Sequence, residues 1–301
     1  MRAAPLRPVT PEEVEAFHRD GAVLIRGVLG PEWVDAAREG LDGAIAEPDE
    51  LSGNVGVRVD QFPAARAKGL QRIIDESPVA EIVGSALESP VRFYMDQLFH
   101  KPAGPILPTP WHQDTCYYNI EGHDLIRAWL SPDPVPRDAS LEVVRGSHLW
   151  NVCYRPLAGR DPEFDAQARE LLENAVVGER MLGVETYDQW NYFTGVRDPS
   201  LPLVPDIESH RDSYGILGWD YQPGDVILFH GNVLHSARGN ITTSIPRRTH
   251  ASLWAGRDVR YLHRVGQIIP DPVGLYAHEP RTGQPLGDFP DVFPLAWSPD
   301  R

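Results

Sequence analysis

A histidine and an aspartate two residues apart limit most strongly how this 301-residue chain can fold: His112 and Asp114, in the stretch Trp111-His112-Gln113-Asp114. On an extended strand that spacing turns both side chains to one face. An imidazole beside a carboxylate supplies two ligands of a metal ion that prefers octahedral geometry, and a third is needed. His235 is the best candidate. It closes the run Pro223-Gly224-Asp225-Val226-Ile227-Leu228-Phe229-His230-Gly231-Asn232-Val233-Leu234-His235, which reads as a turn, a strand and a second turn. Two histidines and one carboxylate leave three positions of the ion open, the arrangement that suits non-haem Fe(II). The fold must then carry two distant segments to one point. The alternative is a surface pair of His112 and Asp114 joined only by a hydrogen bond.

Composition narrows the class. Hydrophobic residues make up 42% and charged residues 24%, which suits a globular protein with a real core. The 29 prolines imply loops and strand ends rather than a helix bundle. A net charge of -15 argues against binding a nucleic-acid backbone. It leaves open a small anionic ligand met by local arginines. Only Cys116 and Cys153 are present, too few for a small disulfide-stapled secreted domain. The N-terminus has no apolar signal core, and no run approaches a membrane span. The expectation is a cytoplasmic protein, monomer or homodimer, that meets a small-molecule substrate and neither nucleic acid nor membrane.

Taken in order, the chain predicts helices over the first part, within 10–90. Thr10 caps a helix opened by Pro11, and Glu13 completes a capping box. That helix stops near Asp20-Gly21, and Ala22 to Ile25 reads as a buried strand. Pro31 opens a second helix, with Trp33, Ala37, Leu41, Ala44 and Ile45 at helical spacing. Residues 48–63 read as a polar loop, with Arg58 on the solvated surface. Pro78 begins a further helix. Val91 to Phe99 is a strand in which Gln97 is the polar member of an apolar row, placed either in the core or against a cosubstrate. In the strand Asp124 to Leu130, Arg127 and Trp129 point the same way. Trp129 is either core packing or a cosubstrate contact, and Arg127 shares its destination.

Leu141 to Val144 is a short strand, and His148 in the turn after it is structural. Residues 151–213 change character and read as an insertion over the mouth of a site. They contain a helix within 161–174 and the aromatics Tyr187, Trp190 and Tyr192, which either line a pocket or pack the insertion down. His210 falls on the surface. Tyr214 to Tyr221 is predicted as a strand, and His230 as structural. Thr249 to Ala255 is the last strand, and 270–301 is a tail lying over one domain that comprises 1–301.

The stretches WHQD (Trp111–Asp114), DLIRAWL (Asp124–Leu130), LEVVRGSH (Leu141–His148), PGDVILFHGNVLH (Pro223–His235) and PRR (Pro246–Arg248, after Asn240) carry a resemblance. In order and spacing they are similar to the phytanoyl-CoA dioxygenase family of Fe(II)/2-oxoglutarate-dependent oxygenases. The resemblance is densest from Gln97 to Ala255. It implies a double-stranded β-helix, the jelly roll, as an all-β core with flanking helices. It implies His112, Asp114 and His235 as ligands of Fe(II), with 2-oxoglutarate as cosubstrate and O2 as oxidant. The family also has an arginine on the strand after the distal histidine, paired with the far carboxylate of 2-oxoglutarate. In most members it lies where this chain has Pro246. One extra loop residue shifts the role to Arg247, with Arg248 as the alternative. Gln97, Trp129 and Arg127 are the further candidates for the cosubstrate pocket. Related halogenases carry alanine or glycine where Asp114 stands, so the resemblance favours hydroxylation or a related oxidation over halogenation. It leaves the substrate open.

Overall fold

The computed structural model describes residues 2–48, 52–54, 58–101, 109–155, 200–238, 246–264, 272 and 278–300. Helix α1 (Pro11–Asp20) begins at the predicted capping box. The Thr10 hydroxyl accepts from the Glu13 N–H, and the Glu13 carboxylate accepts from the Thr10 N–H at 2.9 Å. Gly21, at φ 79°, ends it in the left-handed region that glycine enters without strain. Strand β1 (Ala22–Ile25) follows, then α2 (Pro31–Ala46).

Part of the segment expected as a polar loop is a hairpin of β2 (Ser52–Asn54) and β3 (Arg58–Gln61). The two strands pair antiparallel, with Ser52 opposite Asp60 and Asn54 opposite Arg58. Arg58 is half-buried, donating to Asp60 at 2.9 Å and to the carbonyls of Ala44 and Ile45 at the end of α2. A cation there suits both the open carbonyls and the negative end of the helix. Helices α3 (Lys68–Glu76) and α4 (Val79–Leu87) lead to the long strand β4 (Val91–Lys101).

The remaining strands are β5 (Thr109–His112), β6 (Ile120–Glu121), β7 (Leu125–Leu130), β8 (Leu141–Val144), β9 (Ile216–Gly218), β10 (Val226–His230), β11 (His235–Ala237), β12 (Arg247–Ala255), β13 (Arg260–Tyr261) and β14 (Leu295–Trp297). All pairings are antiparallel. The larger sheet runs β1-β10-β7-β12-β4-β3-β2, with β14 added to β4, and the smaller runs β5-β11-β8-β9. A short pair joins β13 to β6. The C-terminal stretch is therefore more than a cover: β14 pairs with β4, and Phe289, Val292 and Phe293 are buried with Tyr94 and Met95.

These two sheets with helices outside one of them form a jelly roll. The period of two residues in each strand sets what faces where. On β7, Ile126, Ala128 and Leu130 turn outward into a core built with Phe17, Leu41, Leu70 and Ile82 from the helices. Arg127 and Trp129 turn inward, between the sheets. There Ile227 and Phe229 of β10 meet Leu141 and Val143 of β8. The helices therefore stiffen the larger sheet from behind and leave its inner face to the site. No helix among the described residues is long and apolar enough to cross a membrane.

Candidate metal centre

His112 is the last residue of β5 and His235 the first of β11, and the two are directly opposed in register. Their rings lie 4.1 Å apart, centre to centre. Asp114 arrives differently from the strand geometry expected of it. The strand stops at His112, and Asp114 takes helical angles, φ -74° and ψ -42°. The reason is local: the N–H groups of Asp114 and Thr115 both donate to the Gly231 carbonyl, at 2.9 and 3.1 Å, in place of a strand partner. Gly231 permits that approach, because a Cβ there would lie 2.7 Å from the Thr115 hydroxyl. The turn before His235 thus holds the turn that carries Asp114.

Asp114 Oδ1 lies 3.8 Å from His112 Nε2 and 3.7 Å from His235 Nε2. Among the described residues these three are the group whose ligand atoms all fall within 4.8 Å of one another. Bonds of about 2 Å to one ion span such separations. The imidazoles are in the state a metal requires. His112 Nδ1 lies 2.7 Å from the Pro110 carbonyl and His235 Nδ1 3.0 Å from that of Val233. A carbonyl only accepts, so Nδ1 carries the hydrogen and Nε2 keeps its lone pair toward the site. Burial lowers the pKa of both rings, and the neighbouring His112 ring helps to bring that of His235 down to about 3. Burial pushes the Asp114 carboxyl upward, but Arg127 and the two histidines pull it further down, to about 2. At neutral pH the site therefore offers two neutral nitrogens and one anion.

A cavity between the sheets opens from these ligands, walled by Phe99, Trp129, Phe229 and Thr249 and containing Lys101 and Arg247. On β12, Arg247, Thr249 and Ala251 alternate into it. Arg247 is buried, and its Nε and one terminal nitrogen have no hydrogen-bond partner. Burial holds its pKa down, at about 10. Arg248 faces the other way, where Asp133 accepts from its Nε at 2.9 Å and Asp42 lies against it. Lys101 on β4 is opposite Arg247 in register, and its Nζ is 3.3 Å from the Thr109 hydroxyl. Burial, then the neighbouring Arg247 charge, lowers its pKa to about 7. Sequence reasoning missed Lys101 because it ended the strand at Phe99. Continuing the alternation by one step would have placed Lys101 in the same row as Phe99.

The other candidates are distributed as follows. Trp129 borders the cavity and packs edge-on to Tyr221, with ring centres 5.1 Å apart. Arg127 also borders the cavity, but its guanidinium turns to Asp114, Gln97, Tyr118 and the Ala251 carbonyl. Gln97 sits behind the cavity wall, donating to Gln61 at 2.9 Å and accepting from Arg127. His148 is buried against the His18 carbonyl, and His210 is exposed beside Asp206. His230 is buried, and its Nδ1 accepts from the Asn232 N–H at 3.0 Å. The expected helix within 161–174 and Tyr187, Trp190 and Tyr192 lie outside the described residues.

Fe(II) and 2-oxoglutarate fit this arrangement on two observations. The donor set is two neutral imidazoles and a carboxylate converging on one point. A buried cation with unpartnered N–H groups lies in the same cavity, as a second anion site requires.

The profile of the phytanoyl-CoA dioxygenase family matches residues 17–249. Ectoine dioxygenase of Sphingopyxis alaskensis is 23% identical over 253 residues, 78% of this chain and 72% of that protein. Ectoine dioxygenase of Nocardia farcinica is 24% identical over 244 residues, 77% and 73% of the two chains. Among solved structures, the non-haem α-ketoglutarate-dependent epimerase SnoN from nogalamycin biosynthesis superposes with a TM-score of 0.66 at 19% identity, covering 96% of both chains. The carbocyclase SnoK from the same biosynthesis gives 0.65 at 19% identity, covering 96% of this chain and 97% of that one. EctD of S. alaskensis, with 2-oxoglutarate and 5-hydroxyectoine, gives 0.58 at 18% identity over 95% and 92%. At these identities the structural likeness establishes the jelly-roll fold.

Proposed function

The chain belongs to the phytanoyl-CoA dioxygenase family and is an Fe(II)/2-oxoglutarate-dependent oxygenase, and we propose that it hydroxylates a C–H bond of a small or mid-sized metabolite. The observation that carries the cosubstrate reading is Arg247, a buried guanidinium with two unpartnered nitrogens in the cavity that holds the three ligands. A free buried cation of that kind calls for an anion, and a planar fork matches a carboxylate.

When bound, Fe(II) with 2-oxoglutarate and O2 supplies the oxidant for the C–H bond, with succinate and CO2 released. The chain's own part is placement and exclusion. His112, Asp114 and His235 would hold the ion at the edge of the cavity. Arg247 and Lys101 receive the far carboxylate of the cosubstrate, with Thr109 and Thr249 beside them as hydroxyl donors. Phe99, Trp129 and Phe229 keep water from the reacting end.

Asp114 fills the position that a halide needs, which favours hydroxylation. A substrate from secondary metabolism agrees with the likeness to enzymes of nogalamycin biosynthesis. A CoA thioester suits the chain less, because residues 151–221 contain no lysine and are net acidic, a poor match for its phosphates. Anaerobic addition of 2-oxoglutarate to the Fe(II)-loaded protein should produce a metal-to-ligand charge-transfer band, and air should then yield succinate. In His112→Ala, Asp114→Ala and His235→Ala both signals should nearly vanish while the fold persists. Metal binding without any response to 2-oxoglutarate would move the assignment to a jelly-roll metalloenzyme that uses another cosubstrate.

A further inference from the structure

Arg127 is a buried cation inside the sheet sandwich, 2% exposed, and the reaction as outlined does not use it. Nε donates to Asp114 Oδ2 at 2.7 Å, and one terminal nitrogen donates to the Ala251 carbonyl at 3.1 Å. The other terminal nitrogen donates to both Gln97 Oε1 and the Tyr118 hydroxyl. Gln97 is fixed in turn by Gln61, and the Tyr118 hydroxyl lies 3.3 Å from Gln97 Oε1. Four acceptors on three segments, the turn from Asp114 to Tyr118, β4 and β12, therefore set the plane and position of one guanidinium. The two oxygens of Asp114 are consequently not equivalent. Oδ2 is held by Arg127, and Oδ1 is the oxygen facing both histidine nitrogens.

We propose that Arg127 is a positioning residue that holds Asp114 to one-oxygen ligation of the metal and so keeps open a coordination position for the cosubstrate. The proposal rests on the metal-site reading above and adds a role to it. A free carboxylate can offer both oxygens to one ion. With Oδ2 held, it cannot turn to do so, and the ion keeps three positions instead of two. The same contact has an energetic consequence of unusual sign. Arg127 and the metal are two cations sharing one carboxylate, so each weakens the other's hold on it. Arg127 therefore shapes the site and does not increase its affinity. It also balances the buried carboxylate when no metal is bound.

The test is Arg127→Met, which keeps the volume and removes the charge, with Co(II) as a spectroscopic probe and 2-oxoglutarate as ligand. Three results are expected. The Co(II) ligand-field bands shift from those of the wild-type protein, because the carboxylate now binds through both oxygens. Co(II) affinity is equal or higher, and the thermal stabilisation on adding Co(II) is larger than in wild type. Affinity for 2-oxoglutarate, followed by the charge-transfer band of the anaerobic Fe(II) protein, falls about tenfold or more. A residue that only supports the fold would lower stability equally with and without metal and leave the bands in place.

Unchanged Co(II) bands with unchanged 2-oxoglutarate affinity would overturn the proposal, as would a marked loss of Co(II) affinity. Gln97→Leu and Tyr118→Phe leave Arg127 present but loosen its aim, and should move the bands in the same direction by less. They carry the test should Arg127→Met not fold, and bands identical to wild type in both would overturn the proposal. Absence of any Co(II) signal in the wild-type protein would instead sink the metal site itself, and this role with it.

Discussion

Arg247 and Arg248 are adjacent in the chain and opposite in consequence. The first is buried in the cavity with nitrogens unpartnered, and the second is tied to Asp133 and Asp42 on the outside of the same strand. Loss of the partner of a buried carboxylate costs about 3–5 kcal/mol, roughly a hundred- to several-thousand-fold in binding. Arg247→Ala should raise the 2-oxoglutarate dissociation constant on that scale and leave Fe(II) affinity nearly unchanged. Arg248→Ala should lower the unfolding midpoint and leave the cosubstrate alone. Anaerobic titration of both iron-loaded variants separates them, and the reverse pattern would shift the assignment by one residue. At Asp114 the expectation follows from its neighbour. Asp114→Gly removes the acceptor of Arg127 and leaves a buried cation beside the metal position, so chloride should enter there. Chlorinated product should still be scarce, because a substrate placed for hydroxylation is not placed for halide transfer. Mass spectrometry in excess chloride decides it, and robust chlorination would show that placement was already suitable.

Paired strands control the charge in the cavity. β4 and β12 place Lys101 directly across from Arg247, so two cations share a buried wall. Burial and the arginine bring the Lys101 pKa from its ordinary 10.5 to about 7. Below that pH both cations are present, and above it the lysine is neutral until an anion arrives. Binding a carboxylate then takes up a proton, so affinity weakens as pH rises through and above 7, by at most tenfold per unit. 2-Oxoglutarate affinity measured from pH 6 to 9 should fall in this way. Lys101→Arg, charged throughout, should flatten the profile, and Lys101→Met should be weak at every pH. A wild-type profile with no slope would remove Lys101 from the cosubstrate site.

Neutral buried histidines link the stability of the whole molecule to pH. His235 and His230 are both pushed to about 3 by burial, then by neighbouring histidines. A basic group with a lowered folded pKa stabilises fully above its unfolded value, near 6.5, and the contribution is lost as pH falls toward the folded value. Each such group accounts for about 1.4 kcal/mol per pH unit within that window. The urea midpoint of the metal-free protein should therefore fall steeply from pH 6.5 to 4.5. His230→Gln should fall less steeply over the same interval. Fe(II) should raise the midpoint at pH 7 and progressively less at lower pH, since protons compete for His112 and His235. An acid limb of equal slope with and without metal would contradict this coupling.

The His-x-Asp pair and the strand leading to a distal histidine could be read from the chain itself, because metal ligation demands particular residue types, whereas the role of the arginine after that histidine was implied only by the family resemblance. The period of two also showed that Arg127 and Trp129 travel together. Helix α1 could be read from its cap and β1 from its continuous apolar run, since both signals are local. Three things were decided only by packing. The hairpin of β2 and β3 has polar residues and an unremarkable pattern, and β3 becomes a strand through its pairing with β4. Lys101 acquires its character from burial opposite Arg247, which no local pattern encodes. Arg127 faces the pocket as its strand position implies, yet its guanidinium turns to Asp114. That direction is set by Gln97, Tyr118 and Ala251, acceptors brought from three other segments, and only the closed fold assembles them.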